Sequence, residues 1–258
     1  MSAQNFMART TAPQITARKG QEPIVCLTAY DAPTAAMLDD YCDLILVGDS
    51  VGMVVHGLST TVGVTLEMMI MHGQAVMRGT SQACVIVDMP YGSYEDSAEQ
   101  ALTSARRIIK ETGADGVKLE GGEAMAAHVK AITDDGIAVI GHVGLLPQTA
   151  GDNGGFRVKG RDQDAAAQII RDAKAIEEAG AAAIVVEAVI EPVAAEVTKA
   201  VGVPIIGIGA SRECDGQILV TEDMVGITGD HIPKFVKQYA SVSADICLLY
   251  TSPSPRDS

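Results

Sequence analysis

Eight short apolar runs recur along the chain, and segments with apolar positions at helical spacing lie between them. Each run spans five to eight residues, which is typical of strands in a parallel sheet that is covered on both faces. We therefore predict eight strands, of which the last has the weakest pattern. They are IVCLTAY (24–30), LILVGD (44–49), CVIVDM (84–89), GVKLEG (116–121), IAVIGHVG (137–144), AAIVVEAV (182–189), VPIIGIGA (203–210) and MVGIT (224–228).

Several of the intervening segments carry the start and stop signals of helices. Ser97 is a candidate N-cap, and Gly113 and Gly180 are candidate helix ends. The alternation of strand and helix therefore predicts the α/β class. The predicted helices span 65–78, 97–113, 122–134 and 161–180.

Strand and helix alternate without a linker or a change of composition between them. This alternation predicts a (β/α)8 TIM barrel with an N-terminal helical extension before Ile24. A doubly wound open sheet is the alternative, but the first strand lacks the GxGxxG turn that many such sheets carry. The barrel is therefore the preferred fold.

The last residues of the chain differ from everything before them. CLLYTSPSPRDS (247–258) is polar and rich in proline, and it resembles the translation of a transposon-end adaptor used in short-read DNA libraries. We therefore expect the natural chain to end near Ile246 and residues 1–246 to form one barrel domain. Residues 247–258 are expected to be a foreign tail without structure.

Composition and charge exclude some classes of partner. The net charge is −14 and the basic residues are not clustered, which argues against nucleic acid. The chain has no apolar run of the roughly 18 residues that a membrane helix needs, and its first residues lack the apolar centre of a signal peptide. Cys26 and Cys84 fall within apolar strands, where reduced thiols are expected, so we predict a cytoplasmic protein without a membrane partner.

Ionisable and hydroxyl side chains follow almost every predicted strand. A single acid after a single strand is typical of a solvated turn. Parallel barrel strands, however, bring their carboxyl ends to one face of the molecule, so acids, a lysine and a histidine that share this rim predict a functional site. The strand-end residues are Asp49, Ser50, Asp88, Lys118, Glu120, His142 and Glu187.

The acids at the ends of neighbouring strands favour a hard divalent cation. Asp49 and Asp88 supply oxygen atoms without a nearby Cys or His pair, which suits Mg²⁺ with some of its water and substrate oxygens retained. Glu120 could hold a metal-bound water as an outer group. For Asp88 the alternative is a cap before Pro90.

The remaining strand-end groups each have a functional and a structural interpretation. Lys118 lies between apolar neighbours and needs an anion, either a substrate carboxylate or an acid of the site, and a plain buried ion pair is the alternative. His142 could hold a substrate oxygen or be purely structural. Glu187 is flanked by Val186 and Ala188, and desolvation makes such a carboxylate a stronger base, which suits a general base.

Together with two further segments, these residues resemble the ketopantoate hydroxymethyltransferase family. The resemblance runs from about Ile15 to Tyr239, and the departures are Gly63, where many members have Pro, and Ser211, where many have Gly. The motifs that carry it are LTAYD, LVGDS, VKLEGG, GHVGLLPQ, NGGFRVKGR, GIGAS, DGQILV and GITGDHIPKF.

The resemblance implies a role for each strand-end residue. Glu187 is the implied catalytic base. The implied metal site comprises Asp49, Asp88 and Glu120, where Glu120 acts through a metal-bound water. The implied substrate-binding residues are Asp49, Ser50, Asp88, Lys118 and His142.

The resemblance also implies a reaction. A hydroxymethyl group would pass from 5,10-methylenetetrahydrofolate to 3-methyl-2-oxobutanoate, giving 2-dehydropantoate in pantothenate biosynthesis. Glu187 would remove the C3 proton of the oxo acid, and Mg²⁺ would stabilise the enolate. The implied partners are the oxo acid, the folate and further copies of the chain in a homodecamer.

Two other functions remain open at this point. One is a Mg²⁺-dependent oxo-acid lyase or mutase of the phosphoenolpyruvate mutase and isocitrate lyase superfamily, whose lyases use a loop cysteine, typically within KKCGH. This sequence has no such motif. The other is a non-catalytic remnant that binds the oxo acid or the metal, against which the presence of Glu187 argues.

Overall fold

The computed structural model describes residues 9–151, 156–228 and 232–251. Eight parallel strands pair in chain order and close into a barrel, with helices between them. The predicted TIM-barrel fold is therefore confirmed. The strands are β1 (Ile24–Thr28), β2 (Leu44–Val47), β3 (Cys84–Asp88), β4 (Gly116–Glu120), β5 (Ala138–Gly144), β6 (Ala183–Glu187), β7 (Ile205–Ile208) and β8 (Gly216–Leu219).

The helices mostly follow the strands along the chain. The α-helices are α1 (Ala12–Thr16), α2 (Ala32–Leu38), α3 (Val51–Val54), α4 (Leu66–Gly79), α5 (Ala98–Thr112), α6 (Ala126–Asp134), α7 (Gln163–Glu178), α8 (Glu191–Ala200), α9 (Thr221–Val225) and α10 (Val242–Thr251). Short 3-10 turns cover Thr61–Gly63, Glu123–Met125 and Pro147–Thr149.

Local capping explains where the longer helices begin and end. The Thr65 hydroxyl accepts a hydrogen bond from the backbone N–H of Met68, and Ser97 accepts one from Gln100. These bonds satisfy N–H groups that a helix start otherwise leaves unpaired. Gly113 ends α5 with φ +76°, a conformation that glycine adopts without strain. The four predicted helices are confirmed to within a few residues.

Within the described residues, the N-terminal extension contains a helix, as predicted. A capping box between Thr11 and Gln14 begins α1, with Pro13 in its first turn. Ile15 from this helix is 1% exposed and packs with inward-facing strand residues such as Leu44 and Ile140. The extension therefore adds to the apolar interior of the barrel.

The register of the strands decides which side chains meet at the rim. Asp88 on β3 lies opposite Lys118 on β4, and Glu120 on β4 lies opposite His142 on β5. The pairing of β5 with β6 runs over five residue pairs, whereas β7 and β8 share two. The register thus places charged residues of neighbouring strands side by side at the rim.

The prediction of the eighth strand at 224–228 is wrong. The strand lies earlier, at Gly216–Leu219, where buried and more exposed residues alternate, so the segment shows no continuous apolar run. Residues Thr221–Val225 instead form α9, with Glu222 and Asp223 in its first turn and Gly226 at φ +72° as its cap. Acids at a helix start and glycine at its end favour a short helix over a strand.

The chain divides between Ile218 and Leu219 into two compact units. In the second unit, α10 extends to Thr251, so the expectation that the segment from 247 onward lacks structure is wrong for 247–251. The reason is local: the first proline of the tail is Pro253, and the residues before it continue the helix that starts at Val242. Residues 252–258 lie outside the described part, and a foreign origin of the tail and a domain boundary at 246 stay predictions.

Within the described residues, every helix is too short or too polar to cross a membrane.

Candidate active site

The carboxyl ends of β2 to β6 bring the predicted charged residues together. Five of these residues are at most 5% exposed, whereas the side chain of Glu187 is 17% exposed. The five are Asp49, Asp88, Lys118, Glu120 and His142. The structure thus forms one buried cluster of four acids, one lysine and one histidine.

Two carboxylates lie next to each other where β2 and β3 end. The backbone N–H of Asp49 donates to Oδ2 of Asp88 at 3.0 Å. Gly48 precedes this contact, and a Cβ there would approach Oγ of Ser50 to 2.7 Å, so the turn has little room for a side chain. Burial, together with the negative charge of Asp88, raises the pKa of Asp49 to about 7.

Lys118 forms a buried ion pair with Asp88. Its Nζ lies 2.7 Å from Oδ1 of Asp88, and both side chains are almost fully buried. Burial opposes the charge, but the nearby Asp88, Glu120 and Asp49 raise the pKa of Lys118 above its usual value. The sequence analysis predicted that Lys118 needs an anion nearby, and in the structure an acid of the site supplies it.

His142 connects Glu187 to the interior of the cluster. Its Nε2 lies 3.2 Å from Oε2 of Glu187, and its Nδ1 lies 3.4 Å from Nζ of Lys118 and 3.6 Å from Oε1 of Glu120. Burial and the charge of Lys118 lower the pKa of His142, which favours the neutral ring. The neutral ring thus lies between the Glu187 carboxylate and the Lys118 ammonium.

Glu120 is buried behind this histidine. Burial raises the pKa of Glu120 well above its usual value, although the charge of Lys118 opposes this rise. Its Oε2 accepts a hydrogen bond from the backbone N–H of Gln148 at 3.1 Å. The side chain thus faces both the histidine and the loop that follows β5.

Ser50 reaches the same rim through a residue that the sequence analysis did not single out. Its Oγ lies 2.8 Å from the hydroxyl of Tyr30, which is 1% exposed just beyond β1. The backbone oxygen of Tyr30 lies 2.7 Å from Nδ1 of His72, whose Nε2 is 2.9 Å from Nε2 of His56. The only sequence signal for Tyr30 was its place in the motif LTAYD.

Two further buried residues of the cluster escaped the sequence analysis. The amide of Gln148 donates to Oδ2 of Asp49 at 2.8 Å, and the hydroxyl of Tyr94 donates to Oε1 of Gln148 at 2.5 Å. The same hydroxyl accepts from the backbone N–H of Glu120 at 3.2 Å. Neither residue follows a strand directly, so the strand-end pattern could not indicate them, although Gln148 lies in the motif GHVGLLPQ.

A recess of about 410 Å³ lies between the loops that follow β2 and β3. Its wall includes Pro90, two residues after Asp88, and the polar groups of Thr65, Ser93 and Gln100. The residues that line it include no acid, lysine, arginine or histidine. The recess therefore offers neutral hydrogen-bonding groups.

The donor atoms of the cluster fit a hard cation with few protein ligands. No described group of three or more His, Cys, Asp or Glu residues is arranged to hold a metal ion. The buried pair of Asp49 and Asp88 nevertheless concentrates negative charge, and the raised pKa of Asp49 reflects the cost of that charge. Mg²⁺ commonly uses one or two carboxylates and keeps several waters, so this pair suits it.

The chain matches known proteins over most of its length. A family model described as "Ketopantoate hydroxymethyltransferase" matches residues 9–249. A 3-methyl-2-oxobutanoate hydroxymethyltransferase of Rhizobium rhizogenes is 58% identical over 95% of this chain and 90% of the relative. The protein of that name in Mesorhizobium japonicum is 58% identical over 92% of this chain and 83% of the relative. The protein of that name in Brucella canis is 56% identical over 95% of this chain and 90% of the relative.

Two solved structures that share the barrel are much more distant in sequence than these relatives. A phosphonopyruvate hydrolase in complex with oxalate and Mg²⁺ has a TM-score of 0.61 at 13% identity, covering 81% of this chain and 80% of that one. A phosphoenolpyruvate phosphomutase from Streptomyces platensis subsp. rosaceus has a TM-score of 0.62 at 12% identity. The match covers 82% of this chain and 81% of that one. At such identities the likeness shows a shared fold and nothing further.

Proposed function

Because the chain belongs to the ketopantoate hydroxymethyltransferase family, we propose a mechanism for hydroxymethyl transfer at the buried cluster. The chain is a hydroxymethyltransferase of pantothenate biosynthesis. In the proposed reaction the hydroxymethyl group comes from 5,10-methylenetetrahydrofolate and is added to 3-methyl-2-oxobutanoate. The observation that carries the mechanism is the meeting of Glu187 with the Asp49–Asp88 pair at one rim.

Glu187 is the proposed base that removes the C3 proton. It is the most exposed acid of the cluster, and one of its oxygens lies 3.2 Å from Nε2 of His142. Its other oxygen can then face the substrate, because a carboxylate accepts at both oxygens. A general base must first be suitably placed, and its basicity is considered second. The position of Glu187 at the rim meets this first requirement.

Lys118 and Ser50 are the proposed contacts for oxygen atoms of the oxo acid. The Lys118 ammonium keeps its charge beside Asp88, and it is well placed electrostatically to offset charge that develops on the substrate. The Ser50 hydroxyl is held by Tyr30. Asp49, Asp88 and His142 complete the proposed substrate-binding set.

Asp49 and Asp88 are the proposed ligands of Mg²⁺, with Glu120 as an outer group. When bound, the ion would supply positive charge that polarises the keto group of the oxo acid. Burial, and after it the negative charge of Asp88, raises the pKa of Asp49, and a cation held by these two carboxylates would offset that cost. A cytoplasmic location and a homodecamer remain predictions, the former supported by the buried thiols of Cys26 and Cys84.

Proton exchange at C3 of the oxo acid tests the base. In D₂O with Mg²⁺ and no folate, the parent should exchange the C3 proton, and Glu187→Gln should exchange it at least about 100-fold more slowly while still binding the oxo acid. Glu191→Gln on α8 is the matched control and should behave as the parent. Retained exchange in Glu187→Gln would remove that residue from the role of base.

Product analysis separates the proposed activity from its alternatives. The parent should form 2-dehydropantoate only when the oxo acid and 5,10-methylenetetrahydrofolate are both present. Cleavage or rearrangement of an oxo acid without folate would instead indicate a lyase or mutase. Binding without any turnover would indicate a non-catalytic protein.

A further inference from the structure

Contacts with Glu187 and Ala188 fix the loop after β5 above the acid cluster. Gly144 has φ +96°, and a Cβ there would come within 2.6 Å of the backbone oxygen of Glu187, so this turn requires glycine. The backbone N–H of Leu145 donates to that same oxygen at 2.8 Å. Leu145, Ala150 and Ala188 then pack together as a small apolar cluster. The chain is thereby led back over the rim within a few residues.

Gln148 lies in this loop and uses both hydrogens of its side-chain amide. Nε2 donates to Oδ2 of Asp49 at 2.8 Å and to the backbone oxygen of Met89 at 2.9 Å. Oε1 accepts from the hydroxyl of Tyr94 at 2.5 Å. A reversed amide would turn its oxygen toward two acceptors, so the hydrogen-bond network allows one orientation.

The same residue also contacts a second acid of the cluster. Its backbone N–H donates to Oε2 of Glu120 at 3.1 Å, while the Tyr94 hydroxyl that binds its side chain also accepts from the Glu120 backbone. Gln148 is 4% exposed. One buried loop residue therefore restrains carboxylates that come from β2 and from β4.

The side-chain amide of Gln148 is neutral, and this matters for the charge of Asp49. A lysine or arginine at this place would orient the Asp49 carboxylate and cancel its charge at the same time. An amide donates hydrogen bonds and leaves the negative charge in place. The carboxylate thus keeps its attraction for a cation while its plane is held.

We propose that Gln148 is a positioning residue of the transferase, which orients the Asp49 carboxylate for a divalent cation and thereby for the oxo acid. The inference rests on the proposed function of the Asp49–Asp88 pair. Groups that hold metal-binding side chains in place typically contribute 10- to 100-fold to metal affinity or activity. Gln148 acts through Asp49 and Glu120 and needs no contact with the reacting atoms.

The test replaces the amide with an apolar side chain of similar length. Gln148→Met should weaken the binding of Mn²⁺, followed by its electron paramagnetic resonance signal, about 10- to 100-fold. It should lower kcat by a similar factor and leave KM for 5,10-methylenetetrahydrofolate unchanged. Gln74→Met is the matched control, because that amide donates to the backbone oxygen of Glu111 on the outer helices. It should keep the parent's Mn²⁺ affinity and kcat.

A folded Gln148→Met protein with the Mn²⁺ affinity and kcat of the parent would overturn the inference. If that variant does not fold, Gln148→Asn provides the same test, since it keeps an amide but is one methylene too short to reach both Asp49 and Met89. If the parent binds Mn²⁺ without turnover and Gln148→Met binds it more weakly, the positioning role is supported and the proposed function is rejected. A parent that neither binds Mn²⁺ nor turns over would reject both.

Discussion

At the scale of single residues, Asp49 and Asp88 are satisfied in different ways although they lie side by side. Asp88 has a cationic partner in Lys118 at 2.7 Å, and its other oxygen accepts from the backbone. The side chain of Asp49 accepts from the neutral amide of Gln148. Asp88 therefore has a direct ionic partner, whereas the Asp49 side chain is hydrogen-bonded to a neutral group.

This difference predicts opposite effects on stability in the metal-free protein. Asp88→Asn leaves the Lys118 ammonium buried without its partner charge and should cost roughly 3–5 kcal/mol in the free energy of unfolding. Asp49→Asn removes a buried carboxylate that repels Asp88 and should be neutral or stabilising. Urea unfolding in the presence of a chelator measures both, with the exposed Asp134→Asn as control.

Both variants should also lose stabilisation by Mg²⁺. The parent should gain stability as the Mg²⁺ concentration rises, because a ligand that binds only the folded state shifts the equilibrium toward it. A Mg²⁺-dependent rise in melting temperature that survives in both variants would place the metal site elsewhere.

At the scale of elements, Asp39 joins the end of α2 to the segment that leads into β3. Its carboxylate accepts hydrogen bonds from the backbone N–H groups of Ser81, Gln82 and Ala83. Burial alone would raise the pKa of Asp39, but these hydrogen bonds outweigh it and lower the pKa. The stabilisation is thus complete above the unfolded-state pKa of about 3.9 and is lost as the pH falls through the lower folded-state value.

Asp39→Asn should therefore lower the free energy of unfolding by roughly 1.5–3 kcal/mol at pH 7, the usual range for hydrogen bonds to a charged group. The difference from the parent should shrink as the pH falls below about 4. Urea unfolding between pH 7 and pH 3 measures this, with the exposed neighbour Asp40→Asn as control. A difference that does not change with pH would show that the charge of Asp39 is not involved.

The same scale shows why part of the site was predictable from the sequence. Asp49, Asp88 and Glu187 stand out because each interrupts or ends an apolar run, and parallel strands bring such ends together. Gln148 gives no such signal, since the path of a loop depends on contacts such as Leu145 with Ala188. β8 was missed for a related reason: alternate exposure removes the continuous apolar run that identified the other strands.

At the scale of the whole molecule, an exposed apolar residue precedes each histidine of the His56–His72 pair in the sequence. The contact of His56 with His72 joins the end of α3 to α4, next to Val55 and Met71. These two side chains are 51% and 53% exposed. Exposed apolar surface of this kind often marks an interface between proteins, which agrees with the predicted homo-oligomer.

We expect the parent to sediment as an oligomer at micromolar concentration, and Val55→Glu with Met71→Glu to shift it toward the monomer, because two buried charges would destabilise such an interface. Lys130→Glu, a change on the exposed side of α6, is the control for altered charge. A parent that sediments as a monomer would contradict the predicted assembly.

The short pairing of β7 with β8 has a consequence for how the barrel fluctuates. Amide hydrogens exchange with solvent when a segment opens locally, and regions with few backbone hydrogen bonds open most readily. Deuterium should therefore enter β8 sooner than β5 or β6, whose pairing is longer. Because the charged residues lie on the β2 to β6 side, local opening of β8 should leave them in place. An oxo acid bound there should slow exchange in β4 to β6 and leave that of β8 unchanged.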